Sequence, residues 1–72
     1  MATDVLKNFR LRCALIEKTT GKNLGVKEII IQGYYGNEAV IRFRNKLDQE
    51  GKFTLDDDYS YFEIGPVQNS NN

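Results

Sequence analysis

Three consecutive aspartates, Asp56-Asp57-Asp58, are the densest group of side chains that could hold a metal ion. A calcium-binding loop needs alternating oxygen ligands, a central glycine and a glutamate at its twelfth position. That spacing does not occur around these aspartates, and aspartate is a common turn residue. The run therefore predicts a solvated turn between two strands, and we expect no bound metal.

Groups that could perform catalysis are few. The sequence contains no histidine, which is the usual general base near neutral pH, and its single cysteine is Cys13. Cys13 lies among apolar residues, where a thiol more often packs than reacts. Thr20-Gly21-Lys22 lacks the upstream glycine and the following serine or threonine of a phosphate-binding loop. We therefore expect a protein that is not an enzyme and that uses no cofactor.

Tyrosines and arginines, together with two aliphatic residues, form the set best suited to bind a partner. We expect them on one exposed side of a sheet, which we call the predicted Tyr/Arg face: Tyr34, Arg42, Arg44, Tyr59, Tyr61, Ile30 and Val40. Tyrosine and arginine are enriched among the residues that dominate protein interfaces, and exposed aliphatic neighbours would add an apolar patch. Cross-strand packing on an open sheet would use the same residue types. The set predicts a protein-binding module of the regulatory, adaptor or inhibitor type.

Single-stranded RNA or DNA is the alternative partner of this face. Tyrosines could stack on bases, while Arg42, Arg44, Lys46 and Lys27 could contact phosphates. The net charge of zero argues against a polyanionic partner, as do the three aspartates beside Tyr59. We therefore place protein binding first and nucleic-acid binding second.

The N-terminal part of the chain predicts an amphipathic helix. Thr3 or Asp4 could cap its first turn, and Gly21 could end it. Apolar residues follow at steps of four, four and three, which is the spacing of one helical stripe: Val5, Phe9, Cys13 and Ile16. Leu11 and Leu15 form a second apolar pair off this stripe, so that the helix would have two neighbours, its own sheet and a second subunit.

A first hairpin is predicted around Gly36-Asn37, with residues 39–44 as its second strand. Its register depends on the length of the loop, because a slip of one residue turns every side chain of a strand to the other face. A two-residue loop would bury the Gln32 amide, so we expect a three-residue loop. In that register the inward residues are Ile29 and Ile31, and the outward residues are Ile30 and Gln32.

Residues 52–55 and 59–64 predict a second hairpin, which Gly65-Pro66 ends because proline cannot donate to the ladder. Its inward side chains would be Phe53, Leu55, Phe62 and Ile64. The expected fold class is α+β, with one N-terminal amphipathic helix packed on a three- to four-stranded antiparallel meander sheet. We expect one domain over residues 1–66 and a disordered polar tail over residues 67–72.

Size and charge bear on the partners of the chain. A core built from 72 residues supplies only about 3–5 kcal/mol of net stability, so we expect support from self-association as a homodimer or other homo-oligomer. Residues 1–46 hold nine Lys or Arg against four Asp or Glu, a charge of +5, whereas residues 47–72 hold one against six, a charge of −5. The two halves either form differently charged surfaces or pair within the fold.

The expected location is the cytoplasm. No apolar run approaches the roughly 18 residues of a membrane helix, and residues 1–20 lack the apolar segment of a signal peptide. A lone cysteine suits a reducing compartment. We therefore expect no membrane partner.

Overall fold

The computed structural model describes residues 5–67 and places two long strands before the helix. In chain order the elements are β1 (Lys7–Glu17), β2 (Asn23–Gly33), α1 (Gly36–Glu50), β3 (Phe53–Leu55) and β4 (Ser60–Pro66). The strands form one antiparallel sheet of four strands. The predicted combination of one helix with an antiparallel sheet is therefore present, but the predicted N-terminal position of the helix is wrong.

β1 is the central strand of the sheet, and its residues alternate between the core and solvent. Phe9, Leu11 and Cys13 are buried, whereas Arg10 and Arg12 between them are exposed, which is the period of a strand with one covered face. β2 pairs along one edge of β1, while β4 and β3 pair with successive parts of its other edge. The segment predicted as a helix is therefore the strand that holds the sheet together.

α1 covers one face of this sheet. Its apolar residues form a single stripe at helical spacing: Ala39, Val40, Phe43 and Leu47. The stripe packs against Phe9, Leu11 and Ile31 of the sheet. α1 ends at Gly51, which has φ of 76° and donates its N–H to the carbonyl oxygen of Leu47 at 2.9 Å. The predicted strand over residues 39–44 is therefore wrong, and so is the meander built on it.

The core lies between α1 and the sheet, and it contains no buried polar side chain among residues 5–67. Leu11 is fully buried, and the Cys13 thiol lies beside it in the same cluster. Burial raises the pKa of the Cys13 thiol above its ordinary value, so less of it is thiolate at neutral pH. The expected packing role of Cys13 is confirmed, although on a strand and not on a helix.

β2 has the predicted orientation of its isoleucines. Ile31 is buried and Ile29 is partly buried, whereas Ile30 and Gln32 are exposed. The orientation follows from pairing with β1, since Ile31 lies opposite the buried Phe9. The inward and outward assignment was therefore correct, although the pairing partner is not residues 39–44.

The C-terminal strands form as strands but not as a hairpin, since β3 and β4 each pair with β1 and not with one another. Leu55 is buried and Phe53 packs against the core, as predicted. Phe62 and Ile64 are exposed, so their predicted inward orientation is wrong. The reversed orientation of β4 places Tyr61 toward Phe9.

The ends of the described region meet beside the first strand. The N–H of Val67 donates to the carbonyl oxygen of Leu6 at 2.9 Å. The remainder of the predicted polar tail, residues 68–72, lies outside the described residues. Within residues 5–67, α1 is too short and too polar to cross a bilayer.

Candidate binding surface

The structure divides the predicted Tyr/Arg face among different places. Val40 is only 2% exposed, because it belongs to the apolar stripe of α1, and it is not accessible to a partner. Arg42 and Arg44 also lie on α1, on the helix-covered side of the sheet. Ile30 lies on β2 and is exposed on the opposite side. These residues therefore do not form one surface.

The arginines of α1 pair with two of the predicted tyrosines. The guanidinium carbon of Arg42 lies 5.4 Å from the ring centroid of Tyr34, and that of Arg44 lies 5.6 Å from the ring centroid of Tyr59. Such cation–π contacts contribute about 0.5–1 kcal/mol at exposed sites. Because Tyr34 precedes α1 and Tyr59 precedes β4, these contacts tie the helix to the segment before it and to the turn before β4. Their first role is to hold the fold together.

Tyr61 fills the space beside the start of α1. Its ring meets the ring of Phe9 edge-to-face, with centroids 6.2 Å apart and planes at 89°. A Cβ added at Gly36 would overlap the Tyr61 ring, so glycine at this position lets the helix begin against the tyrosine. Tyr61 is therefore a packing residue, although part of its ring remains exposed.

Glu38, in the first turn of α1, binds the segment before the helix and a residue one turn further along it. Its Oε1 accepts the N–H of Tyr34 at 2.6 Å, and its Oε2 accepts the Nε–H of Arg42 at 2.5 Å. The hydrogen bond from Tyr34, with a further contribution from Arg42, outweighs desolvation and lowers the pKa of Glu38 below its ordinary value. The carboxylate therefore connects the end of β2 to the helix and holds Arg42 near Tyr34.

We expect Glu38→Gln to lower the midpoint of thermal unfolding at neutral pH, with an effect that shrinks in acid. A carboxyl with a pKa lowered by folding stabilises the protein above its unfolded-state pKa, and this stability is lost as pH falls through the folded-state pKa. Thermal unfolding of both proteins from neutral pH to about pH 3 measures the difference. Glu50→Gln, at the exposed end of α1, is the control. A Glu38→Gln effect of constant size at every pH would contradict this role.

The sheet side away from α1 forms a second candidate surface, which we call the open face. The even-numbered residues of β1 and β2 point to this side, because Leu11 and its odd-numbered neighbours point to α1. Arg10 lies directly between Ile30 of β2 and Phe62 of β4, with its guanidinium carbon 5.7 Å from the Phe62 ring centroid. Two residues further along β1, Arg12 lies opposite Glu28 of β2, and Nη1 of Arg12 is 3.9 Å from Oε2 of Glu28.

Apolar side chains on the open face are unusually accessible. Val26, Ile30 and Phe62 are 64%, 54% and 53% exposed. These side chains are interleaved with charged groups, since Arg10 lies between Ile30 and Phe62, and Glu28 lies between Ile30 and Val26; together they span about 14 Å along β2 and about 10 Å across three strands. Aromatic residues and arginine are enriched at interfaces between proteins. The open face is therefore the best candidate for a contact surface.

Ion pairs within the fold offset part of the charge difference between the two halves. Three pairs join a basic residue of the first half to an acidic residue of the second, with N–O distances of 3.7–3.8 Å: Lys7–Glu63, Lys18–Asp48 and Arg44–Asp57. All three have exposed partners, so each contributes little to stability. They favour the interpretation that the halves pair within the fold, and the charge difference alone does not indicate a partner.

Within the part of the chain that the structure describes, no three cysteine or acidic side chains are arranged so that they could hold a metal ion. No family model, curated protein or solved structure matches this chain.

Five of the six residues named on the open face were not among the predicted binding residues: Arg10, Arg12, Val26, Glu28 and Phe62. The strict alternation around Arg10 is visible in the sequence and could have placed it on a solvent face. No comparable signal exists for Phe62, because a phenylalanine between Tyr61 and Glu63 is expected to point inward. Of the predicted set, Ile30 alone lies on the open face among the described residues.

Proposed function

We propose that this protein is a small non-catalytic protein-binding module, of the regulatory, adaptor or inhibitor type, that acts through the open face and associates with itself. The observation that supports this function is the exposure of Val26, Ile30 and Phe62 on the side of the sheet that α1 does not cover. Burying the exposed half of each side chain would contribute roughly 1 kcal/mol. A partner that covers all three side chains therefore gains about 3 kcal/mol.

A second copy of the chain suits the charges of the open face. Arg10 and Arg12 carry positive charge, and Glu28 carries negative charge, so the face presents both signs. In a two-fold arrangement a guanidinium of one copy can approach the carboxylate of the other, while the apolar side chains of the two copies pack together. Sheets packed in this way lie about 10 Å apart, with interdigitated side chains. Self-association would also enlarge a core that is small for an independent domain.

Lack of catalysis is part of the same proposal. Cys13 is the one cysteine of the sequence, and its side chain is buried with a raised pKa, which makes it a poor nucleophile. The sequence has no histidine to act as a base. The open face, with its guanidinium and aliphatic groups, suits contact better than chemistry.

Single-stranded nucleic acid is the alternative partner for the open face. Arg10 and Arg12 could contact phosphates, and Phe62 could stack on a base. Against this, Glu28 lies beside Arg12, and Phe62 already contacts Arg10. Protein contact is therefore the better-supported function.

We expect Ile30→Lys to weaken self-association at least about tenfold, because the change replaces an apolar contact residue of both copies with a charged one. Sedimentation velocity over a concentration series measures the association constant. Ile41→Lys is the matched control, since Ile41 is 55% exposed against 54% for Ile30 but lies on α1. An unmodified protein that stays monomeric at high micromolar concentration would refute self-association, and equal effects of both changes would refute the open face as its site.

A titration with fluorescently labelled single-stranded oligonucleotides tests the alternative partner. The proposed function predicts no micromolar binding at either of two salt concentrations. Micromolar binding that weakens steeply with salt would favour nucleic-acid recognition instead.

A further inference from the structure

A groove runs beside β2 at the border of the sheet. β2 occupies one end of the sheet order, and among the described residues its strand partner is β1 alone. The groove has a volume of about 320 Å³ and is lined by the four consecutive residues 29–32 of β2 and by Arg42, Phe43 and Lys46 of α1. Helix and strand edge thus form two walls of one open channel.

The lining pattern shows which part of β2 faces the groove. Side chains of successive strand residues point to opposite faces, so four residues in a row can share a cavity only along the main-chain edge. An edge strand presents N–H and C=O groups that can pair with an added strand. The groove therefore offers main-chain hydrogen-bonding groups beside apolar and basic side chains.

We propose that the groove binds an extended peptide carrying acidic side chains, which adds to the free edge of β2 as a further strand. The main chain of the peptide pairs with the outer groups of residues 29–32. Its side chains that face α1 pack against Phe43 and approach Arg42 and Lys46. The site shares Ile30 with the open face, but it uses the main-chain edge of β2 and not the face of the sheet, so it does not depend on the proposed self-association.

The positive charges of the groove favour an acidic partner. Lys46 forms no ion pair with any residue that the structure describes, so its ammonium group is available to a carboxylate. Arg42 adds a second positive group, partly offset by its contact with Glu38. A carboxylate at the groove wall would therefore find its main cationic partner in Lys46, with Arg42 as a weaker second one.

A second copy of β2 is a poorer occupant of the same edge. Two β2 strands paired antiparallel about a two-fold axis would bring both α1 helices to the same side of the joined sheet. Arg42 and Lys46 of one copy would then approach the same residues of the other, and like charges across an interface oppose association. The acidic peptide avoids this repulsion.

Fluorescence anisotropy with a labelled octapeptide of alternating valine and glutamate tests the site. We expect saturable binding below about 1 mM, and at least about tenfold weaker binding of the matched peptide with lysine in place of glutamate. Absence of saturable binding of the glutamate peptide up to that concentration would overturn the proposal. So would equal affinity for the two peptides.

A substitution that reverses a charge in the groove tests where the peptide binds. Lys46→Glu is expected to reverse the preference between the two peptides. Lys22→Glu, in the turn between β1 and β2 and outside the groove lining, is expected to change either affinity by less than about twofold. If Lys46→Glu leaves the preference for glutamate intact, the groove is not the site.

N-methylation tests for strand addition. Methyl groups on alternate peptide nitrogens block pairing along one edge of an extended peptide and leave the other edge free. We expect one of the two alternate sets to abolish binding and the other to preserve it, whereas equal effects of the sets would overturn strand addition. Phe62→Ser is expected to weaken self-association without changing peptide affinity, so that failure of the groove and failure of the open face give different results.

Discussion

Leu11→Ala is expected to lower the free energy of unfolding by about 3 kcal/mol, within a range of about 2–5 kcal/mol. Leu11 is fully buried at the centre of β1, and it belongs to the cluster that joins the sheet to α1. Its removal loses apolar contacts and leaves a cavity between two elements that cannot easily close it. A core of this size supplies only about 3–5 kcal/mol of net stability, so the change would remove most of it.

Urea unfolding followed by circular dichroism measures this loss. Leu24→Ala is the matched control, because it is the same substitution at an exposed position of β2. We expect its effect to stay below about 1 kcal/mol. Equal losses for the two variants would contradict the central position of β1.

Gly33→Ala is expected to lower the free energy of unfolding by about 1–3 kcal/mol. A Cβ at position 33 would lie 2.7 Å from both the Cα and the Cβ of Ala39, and 2.7 Å from Oε1 of Glu38. Two of these neighbours are fixed by the helix backbone, so the end of β2 and the start of α1 would have to separate. The larger Gly33→Val change should cost more still.

Thermal unfolding compares Gly33→Ala with Gln32→Ala, a change to alanine at the adjacent exposed residue. The glycine variant should unfold several degrees lower, whereas the glutamine variant should unfold close to the unmodified protein. A Gly33→Ala protein as stable as the unmodified one would show that β2 and α1 do not approach as closely as described.

The N-terminal segment shows why the order of elements was mispredicted. Its residues fit two periods at once: steps of four, four and three from Val5, and steps of two from Phe9 to Leu11 to Cys13. The alternating period was the correct one, with arginines at the intervening positions. The predicted helical stripe did not include Leu11, although Leu11 is the most buried of these residues.

The same ambiguity, with the opposite outcome, affected residues 39–44. Ala39, Ile41 and Phe43 fit an alternating strand, whereas Val40, Phe43 and Leu47, at steps of three and four, fit a helix. Glu38 in the first turn and Gly51 after the last turn are further helix signals that sequence analysis could have used. Period counting over longer windows would have favoured the helix.

Side-chain direction in β4 depended on tertiary contacts that the sequence does not display. Phe62 is more apolar than Tyr61, so composition favoured burying Phe62. In the fold Tyr61 instead packs against Phe9 beside Gly36. The open face could therefore be predicted only in part, with Ile30 correctly exposed and its neighbour Phe62 missed.

The self-contact through the open face is tested most directly by isotope-filtered NOE spectroscopy on a mixture of labelled and unlabelled protein. Signals in such spectra arise only between different copies. We predict intermolecular NOEs between the Ile30 methyl groups and the Phe62 ring, at concentrations where sedimentation shows association. If the protein associates but its intermolecular NOEs come from Ile41 on α1, with none from Ile30 or Phe62, then the open face is not the site of self-contact.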